Sequence, residues 1–389
     1  MKISIINTLY PPYTIGGAEK SVQALAENFL LLGHEVSVIT LGEKTSVKEI
    51  NNVSVNTLKI ENIYFPFKEG AKSTTQKIIW HTNDVNNKKY DKNITAILKS
   101  FNPDVLFTNN ISGFSTRVWK IARKMNIKTI HTLRDYYLQC PKTTKFKNKK
   151  NCDKLCFDCK LLSIRKKEDS HNVDFLIGIS NFILKDHICN GYFKNVPNKV
   201  IYNGFDSNVF KDKSPKNTIV FGYIGQINKS KGVELLLKSF LKLNKYKWKL
   251  LIAGNIDQDY LNYLKTINNS NNIEFLGYVK SDLFYDKINV LVVPSLWNEP
   301  FGRVVLESII NNKPVLGSNK GGISELLSNN KDFLFCPNEN ELANLLKKTI
   351  LNTSFLSLFK FDESFIENFM LKNTVKQYLD VFNEVIKNN

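Results

Sequence analysis

Two glutamates, Glu299 and Glu307, flank the segment Pro300-Phe301-Gly302, and their type and spacing are the first indication of chemistry in this chain. Carboxylates repel phosphates, but they accept hydrogen bonds from hydroxyl groups. Gly302 lacks a side chain, so the backbone there can approach a ligand closely. A sugar nucleotide carries hydroxyl-rich rings on both sides of a diphosphate and would suit such a site. The alternative is one solvated surface glutamate and one glutamate that lies at a helix start.

The residues around this pair predict a strand that leads through a loop into a helix. Asn289–Val293 is a continuous apolar run typical of a buried parallel strand, and Arg303–Ile310 has the apolar face of a helix. In open parallel sheets, ligands bind at the carboxyl ends of the strands, where this loop would lie. The N–H groups at a helix start favour an anion. We therefore expect Glu299 in the loop and Glu307 about one turn into the helix, beside an anion site.

A strand, a glycine-rich turn, a helix and a second strand open the chain. Lys2–Thr8 predicts the first strand, Gly16-Gly17 begins a helix that reaches Leu32, and Glu35–Thr40 predicts the next strand. This order is typical of a βαβ unit in a parallel sheet. Gly16 and Gly17 would let the backbone approach a phosphate or an acceptor, or they form only a tight turn.

Ionisable residues also cluster at the end of the strand predicted over Lys128–Thr132, where His131, Arg134 and Asp135 follow one another closely. Polar groups at the carboxyl end of a strand are candidates for an active site. His131 is the favoured cleft residue, with Arg134 and Asp135 close behind. The rival interpretation is a core histidine whose hydrogen bonds are satisfied.

Four cysteines, Cys140, Cys152, Cys156 and Cys159, accompany a densely basic segment, Lys142–Lys167, which we expect to be a loop. Their spacing could close a four-thiolate tetrahedron around a structural zinc ion, and in a reducing compartment a metal is favoured over disulfides. The alternative is four free thiols. The basic loop would suit an anionic membrane surface, or it is a solvated loop without a partner.

The composition predicts two globular domains and an anionic partner. The chain has 389 residues, 42% of them hydrophobic, and a formal net charge of +18. We find no helix-turn-helix, zinc-finger or aromatic RNA-binding pattern, so nucleic acid is not expected, and a membrane surface or a phosphate-bearing ligand is preferred. Alternatively, an AT-rich genome inflates lysine and asparagine and explains part of the charge.

No apolar run is long enough to span a bilayer. Met1–Asn7 is followed at once by Pro11-Pro12 and lacks a cleavage site, so it predicts a first strand and not a signal peptide. The expected location is the cytoplasm, with or without peripheral binding to the inner face of the plasma membrane.

Several of these segments together resemble the retaining glycosyltransferases of the group 1 (family 4) type, which have the GT-B fold. Pro294–Glu307 resembles their Glu-x7-Glu motif, and the other matching segments are Gly16-Gly17-Ala18-Glu19, Asn203-Gly204-Phe205-Asp206, Lys231-Gly232 and Gly321-Gly322. The resemblance covers nearly the whole chain. It implies two Rossmann-like α/β/α domains that face each other across a cleft, and a final helix that crosses back to the first domain.

The resemblance also implies roles for individual residues. Glu299 would contact the donor sugar, Glu307 would hold the ribose hydroxyls, and the amides of Phe301 and Gly302 would face the sugar and the phosphate. Lys231 would neutralise the diphosphate. The implied catalytic set is Glu299, His131, Lys231, Arg134 and Asp135, and the remaining donor-binding set is Gln226, Lys229, Gly225, Gly277 and Tyr278.

This sequence departs from the family pattern at two positions. The family has an arginine where this chain has Gln226, which can donate a hydrogen bond but supplies no charge, so Lys229 would compensate. The family also has a histidine directly before the aspartate, where this chain has Arg134. Either His131 reaches the site from three residues earlier, or Arg134 takes the position.

The predicted domains are residues 1–203, which would bind the acceptor and carry the cysteine- and lysine-rich insert 140–167, residues 204–370, which would bind the nucleotide sugar, and the final helix 371–389. Polar residues 211–217 predict a linker.

The predicted function is retaining transfer of a sugar from a UDP- or GDP-linked donor to a hydroxyl of a lipid-linked or saccharide acceptor. The expected setting is the biosynthesis of bacterial O-antigen, capsule or lipopolysaccharide, and no cofactor is required for catalysis. Two alternatives stay open: another GT-B enzyme, such as a nucleotide-sugar epimerase or a phosphorylase, or a non-catalytic basic binding protein on a transferase scaffold.

Overall fold

The computed structural model describes residues 1–14, 16–65, 72–205 and 218–387, apart from the side chain of Asp282. The chain divides into two compact units. Unit 1 comprises Met1–Lys145, Cys152–Gly204 and Asn368–Asn389, and unit 2 comprises Phe146–Asn151 and Phe205–Glu367. The predicted linker, residues 211–217, lies outside the described residues.

Unit 1 begins as an alternation of strands and helices. Its elements up to the strand β6 are β1 (Lys2–Ile6), α1 (Gly17–Leu31), β2 (Glu35–Gly42), β3 (Ser46–Ile50), β4 (Val53–Lys59), α2 (Thr74–Val85), α3 (Asp91–Phe101), β5 (Val105–Thr108), α4 (Arg117–Lys124) and β6 (Lys128–Leu133). After the hairpin of β7 (Phe146–Lys147) and β8 (Lys150–Asn151), which belongs to unit 2, follow α5 (Phe157–Asp169), β9 (Phe175–Gly178), α6 (Asn181–Cys189) and β10 (Asn198–Val200).

The sheet of unit 1 has eight strands in the order β10-β9-β6-β5-β1-β2-β4-β3. Every neighbouring pair is parallel except β3 and β4, which form an antiparallel edge. The carboxyl ends of β1, β5 and β6 therefore meet at one edge of the sheet, where His131 lies near the end of β6 and Arg134 and Asp135 follow the strand.

Unit 2 repeats the plan with a six-stranded, fully parallel sheet. Its elements are β11 (Val220–Ile224), α7 (Val233–Leu241), β12 (Lys249–Ala253), α8 (Gln258–Ile267), β13 (Ile273–Gly277), α9 (Ser281–Tyr285), β14 (Val290–Val293), α10 (Arg303–Ile310), β15 (Val315–Ser318), α11 (Gly322–Leu326), β16 (Leu334–Phe335), α12 (Glu339–Leu351) and α13 (Glu363–Glu367). The strand order is β13-β12-β11-β14-β15-β16. Short 3₁₀ helices in the chain span Lys88–Tyr90, Ser170–Asn172, Lys229–Lys231, Lys331–Phe333 and Thr353–Leu358.

The final helix, α14 (Leu371–Lys387), belongs to the core of unit 1. Its buried residues pack with the inner face of α1 and with one face of the sheet. The ring of Phe382 lies 5.5 Å from that of Phe29 on α1 and 5.3 Å from that of Phe107 on β5. The prediction that the last helix returns to the first domain is therefore confirmed, as is the prediction of two Rossmann-like α/β domains.

Two expectations about the cysteine- and lysine-rich insert need correction. The segment expected to be a basic loop contains the 13-residue helix α5. The insert was also assigned to the first domain, but residues 146–151 group with unit 2, since the Asn151 side chain hydrogen-bonds to the backbone of Leu296 and Asn298. By contrast, the helix predicted over Arg303–Ile310 has those bounds. In the described part of the chain, no helix is both long and apolar enough to cross a membrane.

The anchoring of α14 predicts that Phe382→Ala destabilises unit 1 by about 3 to 5 kcal/mol, because the truncation leaves a cavity between α14, α1 and β5. Asp380→Ala, an exposed position on the same helix, should change stability by less than about 0.5 kcal/mol. Urea unfolding followed by circular dichroism measures both. Equal effects of the two substitutions would show that α14 is not part of the core.

Candidate active site

The Glu299 loop connects β14 to α10 and makes direct contact with the loop that follows β11. Glu299 Oε1 lies 2.9 Å from Lys231 Nζ. Glu299 is 7% exposed, and the lysine side chain retains 24% of its exposure. Lys231 Nζ also lies 5.2 Å from the ring centre of Trp297 in the same loop. The structure thus brings together the two residues that were predicted to hold the donor sugar and the diphosphate.

Glu307 lies on the second turn of α10 and is also 7% exposed. Its Oε1 accepts a hydrogen bond of 2.8 Å from Arg303 Nε, one turn earlier on the same helix. The hydroxyl of Tyr285 lies close by and donates to the carbonyl of Val304 at 3.1 Å. Burial, together with the Glu307 charge, raises the pKa of Tyr285 well above its ordinary value, so this phenol stays a neutral donor.

Two glycines allow the loops at this edge to pack backbone against backbone. A Cβ on Gly232 would lie 1.9 Å from the carbonyl oxygen of Pro294, and a Cβ on Gly321 would lie 2.3 Å from that of Glu299. Both glycines have positive φ, 77° and 54°, which other residues adopt only with strain. The Glu299 loop is therefore held between the turn before α7 and the turn before α11.

Hydrogen bonds complete this support. Leu296 N donates to Ser230 O at 2.8 Å, and Gly322 N donates to Glu299 O at 2.7 Å. Asn151 of the β7–β8 hairpin clamps the loop with two bonds: its Nδ2 donates to Leu296 O at 2.9 Å, and its Oδ1 accepts from Asn298 N at 2.7 Å. Sequence reasoning missed Asn151, because no motif links it to a loop almost 150 positions away.

The remaining predicted donor-binding residues lie at carboxyl ends of strands in the same sheet. Gly225 and Gln226 follow β11. Gly277 is the last residue of β13, and Tyr278, which is 69% exposed, follows it. Phe301 is buried at 3% exposure, and Gly302 is the N-cap of α10. The parallel register places all of these turns at one edge of the sheet, which is where a ligand of this fold would bind.

A basic cavity of about 430 Å³ opens at this edge, around the exposed side of α7. Lysines line it, and Lys229 is among them; the others are Lys149, Lys238 and Lys242. Acidic partners offset part of the charge: Lys149 Nζ lies 3.0 Å from Glu234, and Lys238 Nζ lies 3.4 Å from Glu339. The cavity lining includes Leu296 of the Glu299 loop, but it includes neither Glu299 nor Glu307.

In unit 1, the structure brings His131, Arg134 and Asp135 to the lining of one small cavity of about 10 Å³. Arg134 is 8% exposed, and its Nε and Nη1 donate to Asn109 Oδ1 at 2.8 Å and to Asn203 Oδ1 at 2.6 Å. Asp135 accepts from Asn110 Nδ2 at 2.8 Å and from Tyr137 N at 2.7 Å. Burial raises the pKa of Asp135 to about 6 despite these bonds.

His131 lies in β6 and packs among aromatic rings. Its ring stacks on Phe193 at 5.8 Å and meets the edge of Trp119 at 5.0 Å, and its Nδ1 lies 2.9 Å from Thr108 Oγ1. Burial lowers its pKa to about 3. This environment favours the alternative of a core histidine, and it leaves Arg134 and Asp135 as the polar groups that follow the strand.

Gly16 and Gly17 begin α1, as the sequence predicted. Gly16 is the N-cap of the helix, and its N–H donates to Glu19 Oε2 at 2.9 Å. That amide is therefore already engaged by a carboxylate, so the Gly-Gly turn has a structural role in starting the helix.

Two family profiles match the chain. The profile described as Glycosyltransferase Family 4 matches residues 15–209, and that described as Glycosyl transferases group 1 matches residues 205–369. A Klebsiella pneumoniae protein described as an uncharacterized 42.6 kDa protein in the cps region is 40% identical over 328 residues, 84% of this chain and 87% of that protein. The chain belongs to the group 1 glycosyltransferases.

This glycosyltransferase is also similar to a capsule-biosynthesis protein in sequence and to a solved structure in fold. The capsular polysaccharide biosynthesis glycosyltransferase CapM of Staphylococcus aureus is 31% identical over 134 residues, 32% of this chain and 35% of CapM. The crystal structure of Anabaena Alr3699/HepE in complex with UDP superposes with a TM-score of 0.71 at 16% identity, over 99% of this chain and 100% of that one. At that identity the likeness shows the fold, and it agrees with the predicted GT-B class.

The cysteines of the glycosyltransferase come together only in part. Cys159 shares side-chain hydrogen bonds with Cys140 and with Cys156. The bond with Cys159 and the N–H groups of residues 142, 144 and 145 lower the pKa of Cys140 to about 6. Among the described residues, however, no group of three or more His, Cys, Asp or Glu side chains is arranged to hold a metal ion. The geometry gives the four-thiolate zinc site no support, and that site stays a prediction.

The zinc hypothesis requires about one zinc ion per chain in protein purified without chelators. Cys159→Ala should then lose the metal, because Cys159 contacts two of the other thiols, while Cys336→Ala, an exposed cysteine in unit 2, should keep it. Metal analysis by atomic absorption decides between zinc and uncoordinated thiols. Wild-type protein with far less than one zinc per chain would end the hypothesis.

The buried His131 predicts a pH dependence of stability. Its pKa is about 3 in the folded state and about 6.5 in the unfolded state, so unfolding takes up a proton below pH 6.5 and stability falls as the pH falls. Between pH 6.5 and 4.5 this one group should cost about 2 to 3 kcal/mol. His131→Gln should reduce the acid-induced loss by that amount, as measured by urea unfolding at a series of pH values. An unchanged pH slope in the variant would contradict the assigned burial of the neutral ring.

Proposed function

We propose that this glycosyltransferase moves a sugar from a nucleotide diphosphate sugar to a hydroxyl acceptor with retention of the anomeric configuration. The observation that carries the proposal is the contact between Lys231 Nζ and Glu299 Oε1 at 2.9 Å. In a sugar nucleotide, the distal phosphate is bonded directly to the anomeric carbon. A cation for the phosphate and a carboxylate for the sugar hydroxyls must therefore be neighbours, as these two side chains are.

Glu307 supports the nucleotide side of the same site. It lies on α10, eight positions after Glu299, and Arg303 holds its carboxylate at the helix surface. A carboxylate can accept hydrogen bonds from two adjacent ribose hydroxyls. The start of α10, next to Gly302, offers a positive helix end for the diphosphate between the two glutamates.

The proposed reaction needs no metal ion. The bond between the anomeric carbon and the distal phosphate breaks, the phosphate oxygen takes the proton of the acceptor hydroxyl, and the acceptor oxygen bonds to the anomeric carbon on the same face of the sugar. Negative charge grows on the departing diphosphate. Lys231 and the first amides of α10 would stabilise that charge, which is electrostatic catalysis by groups already in place.

The proposed setting is the synthesis of a bacterial surface polysaccharide on a lipid-linked acceptor. The support is the similarity to a protein described from a cps region and to a capsular polysaccharide glycosyltransferase. The net charge of +18 fits work at an anionic membrane surface. UDP is the first nucleotide to test, because the similar Anabaena protein was crystallised with it.

The test compares Glu299→Gln, Glu307→Gln and Lys231→Met with a matched control, Glu363→Gln, at an exposed position on α13. The purified proteins are first screened by thermal shift against UDP- and GDP-sugars. With the donor found, each site variant should lose transfer by about 100-fold or more, because a charged group that is desolvated in the site is removed. The control should keep wild-type activity and melting temperature. Glu299→Gln and Lys231→Met should melt at a lower temperature, because each leaves its ion-pair partner uncompensated, and circular dichroism at the assay temperature should show that they are still folded.

Product analysis separates the proposal from its alternatives. Nuclear magnetic resonance of the product should show the anomeric configuration of the donor. Turnover that requires inorganic phosphate indicates a phosphorylase, and conversion of the nucleotide sugar without an acceptor indicates an epimerase. Full activity in Glu299→Gln would overturn the assignment of the site.

A further inference from the structure

Helix α5 exposes its apolar residues to solvent. Phe157, Leu161 and Ile164 follow one another at intervals of four and three residues, so they form a single stripe along the helix. Their relative exposures are 79%, 60% and 52%. Three large apolar side chains this exposed on one helix face indicate a surface that something covers in the working protein.

The opposite face of α5 is buried, yet it is polar. Its buried residues are Cys159, Ser163, Lys166 and Asp169. Lys166 Nζ donates to Tyr137 O at 3.2 Å and lies 3.8 Å from Asp84. Asp169 accepts from Thr116 Oγ1 and from Lys120 Nζ, both at 2.6 Å. Each ion would lose its partners if the helix rotated, so this network fixes which face points outward.

Basic residues border the apolar stripe. Lys160 and Lys167 are exposed on one flank, Arg165 lies on the other flank, and Lys154 precedes the helix. Asp158 and Glu168 are the acidic residues on the exposed part of α5. An apolar stripe with basic flanks is typical of a helix that lies in a membrane interface.

A second copy of the chain fits this surface less well. In a symmetric dimer the stripe would face itself, which would bring Lys160 and Lys167 of both copies together. Three side chains also cover far less area than the about 1,200 to 2,000 Å² of a stable protein interface. Neither objection applies to an anionic lipid surface. Such a surface accepts a narrow apolar stripe, and its phosphates pair with the lysines beside the stripe.

We propose that α5 docks this protein on an anionic membrane, with Phe157, Leu161 and Ile164 in the boundary between headgroups and acyl chains and Lys160 and Lys167 against lipid phosphates. The neighbouring helix α2, which contacts the buried face of α5 through Asp84, also exposes an apolar side chain, Ile78, to 60%. The inference deepens the proposed function, since it rests on an acceptor that is presented at a membrane.

The test is flotation of the full-length protein with vesicles of phosphatidylglycerol and phosphatidylcholine, and with vesicles of phosphatidylcholine alone. Wild-type protein should bind the anionic vesicles, and binding should weaken with salt. The triple variant Phe157→Ser, Leu161→Ser, Ile164→Ser should lose at least tenfold in the partition coefficient. A matched control replaces three apolar residues that are at least as exposed elsewhere in unit 1, Leu31→Ser, Leu32→Ser and Val47→Ser, and should bind as wild type does.

Two double variants with reversed charges test the role of the lysines beside the apolar stripe. Lys160→Glu with Lys167→Glu should lower anionic binding by at least tenfold, whereas Lys48→Glu with Lys92→Glu, the same charge change at exposed sites on β3 and α3, should lower it less. Melting temperatures should stay at the wild-type value, because all of these side chains are exposed. Equal binding of the triple variant and wild type would overturn the proposal.

Two readouts separate this inference from the proposed function and from dimerisation. If transfer to a soluble acceptor is normal and α5 has no effect on vesicle binding, the docking surface is wrong and the enzyme assignment stands. If the α5 variants lose vesicle binding but the wild-type protein transfers no sugar, the docking surface stands and the enzyme assignment is wrong. If light scattering shows a wild-type dimer that the triple variant loses, a second copy covers α5 and membrane docking by this helix is refuted.

Discussion

The ion pair between Lys231 and Glu299 is the contact on which the candidate site depends. It joins the turns after β11 and β14, two strands that are hydrogen-bonded neighbours in unit 2. These two turns touch through their backbones, because Gly232 carries no Cβ where Pro294 O approaches. The turn after β15 touches the same loop, because Gly321 carries no Cβ where Glu299 O approaches. The ion pair therefore depends on two positions where only glycine leaves room for the neighbouring backbone.

Much of the candidate site at the edge of the unit 2 sheet could be predicted from the sequence, because the sequence patterns that indicate it are local. The apolar run before the loop, the period of α10 and the glycines at turns each depend on a few adjacent residues. The contacts that complete the site are not local. Lys231 and Glu299 are 68 positions apart, and Asn151 and Asn298 are 147 apart. Residue types make such contacts possible, but only the register of the sheet decides which loops meet.

The prediction for α5 was wrong for a different physical reason. Helix prediction from a single sequence assumes that the periodic face is apolar and buried. In α5 the buried face carries Ser163, Lys166 and Asp169, whose desolvation is offset by ionic and hydrogen-bonding partners from α2, α4 and the turn after β6. The apolar residues of α5 do recur with helical spacing, but they lie on its solvent-exposed face. A dense run of lysines then made the segment resemble a loop.

The pairing of Lys231 with Glu299 also bears on how a donor would be recognised. Without a ligand, each side chain compensates the other, and both are largely buried, so separating them leaves an uncompensated charge. A nucleoside diphosphate alone would give Lys231 a new partner but would leave Glu299 with none. A sugar on that diphosphate supplies hydroxyls to the carboxylate at the same moment. The site would therefore favour the intact sugar nucleotide over its nucleotide product, and Gln226, which adds no charge, would weaken product retention further.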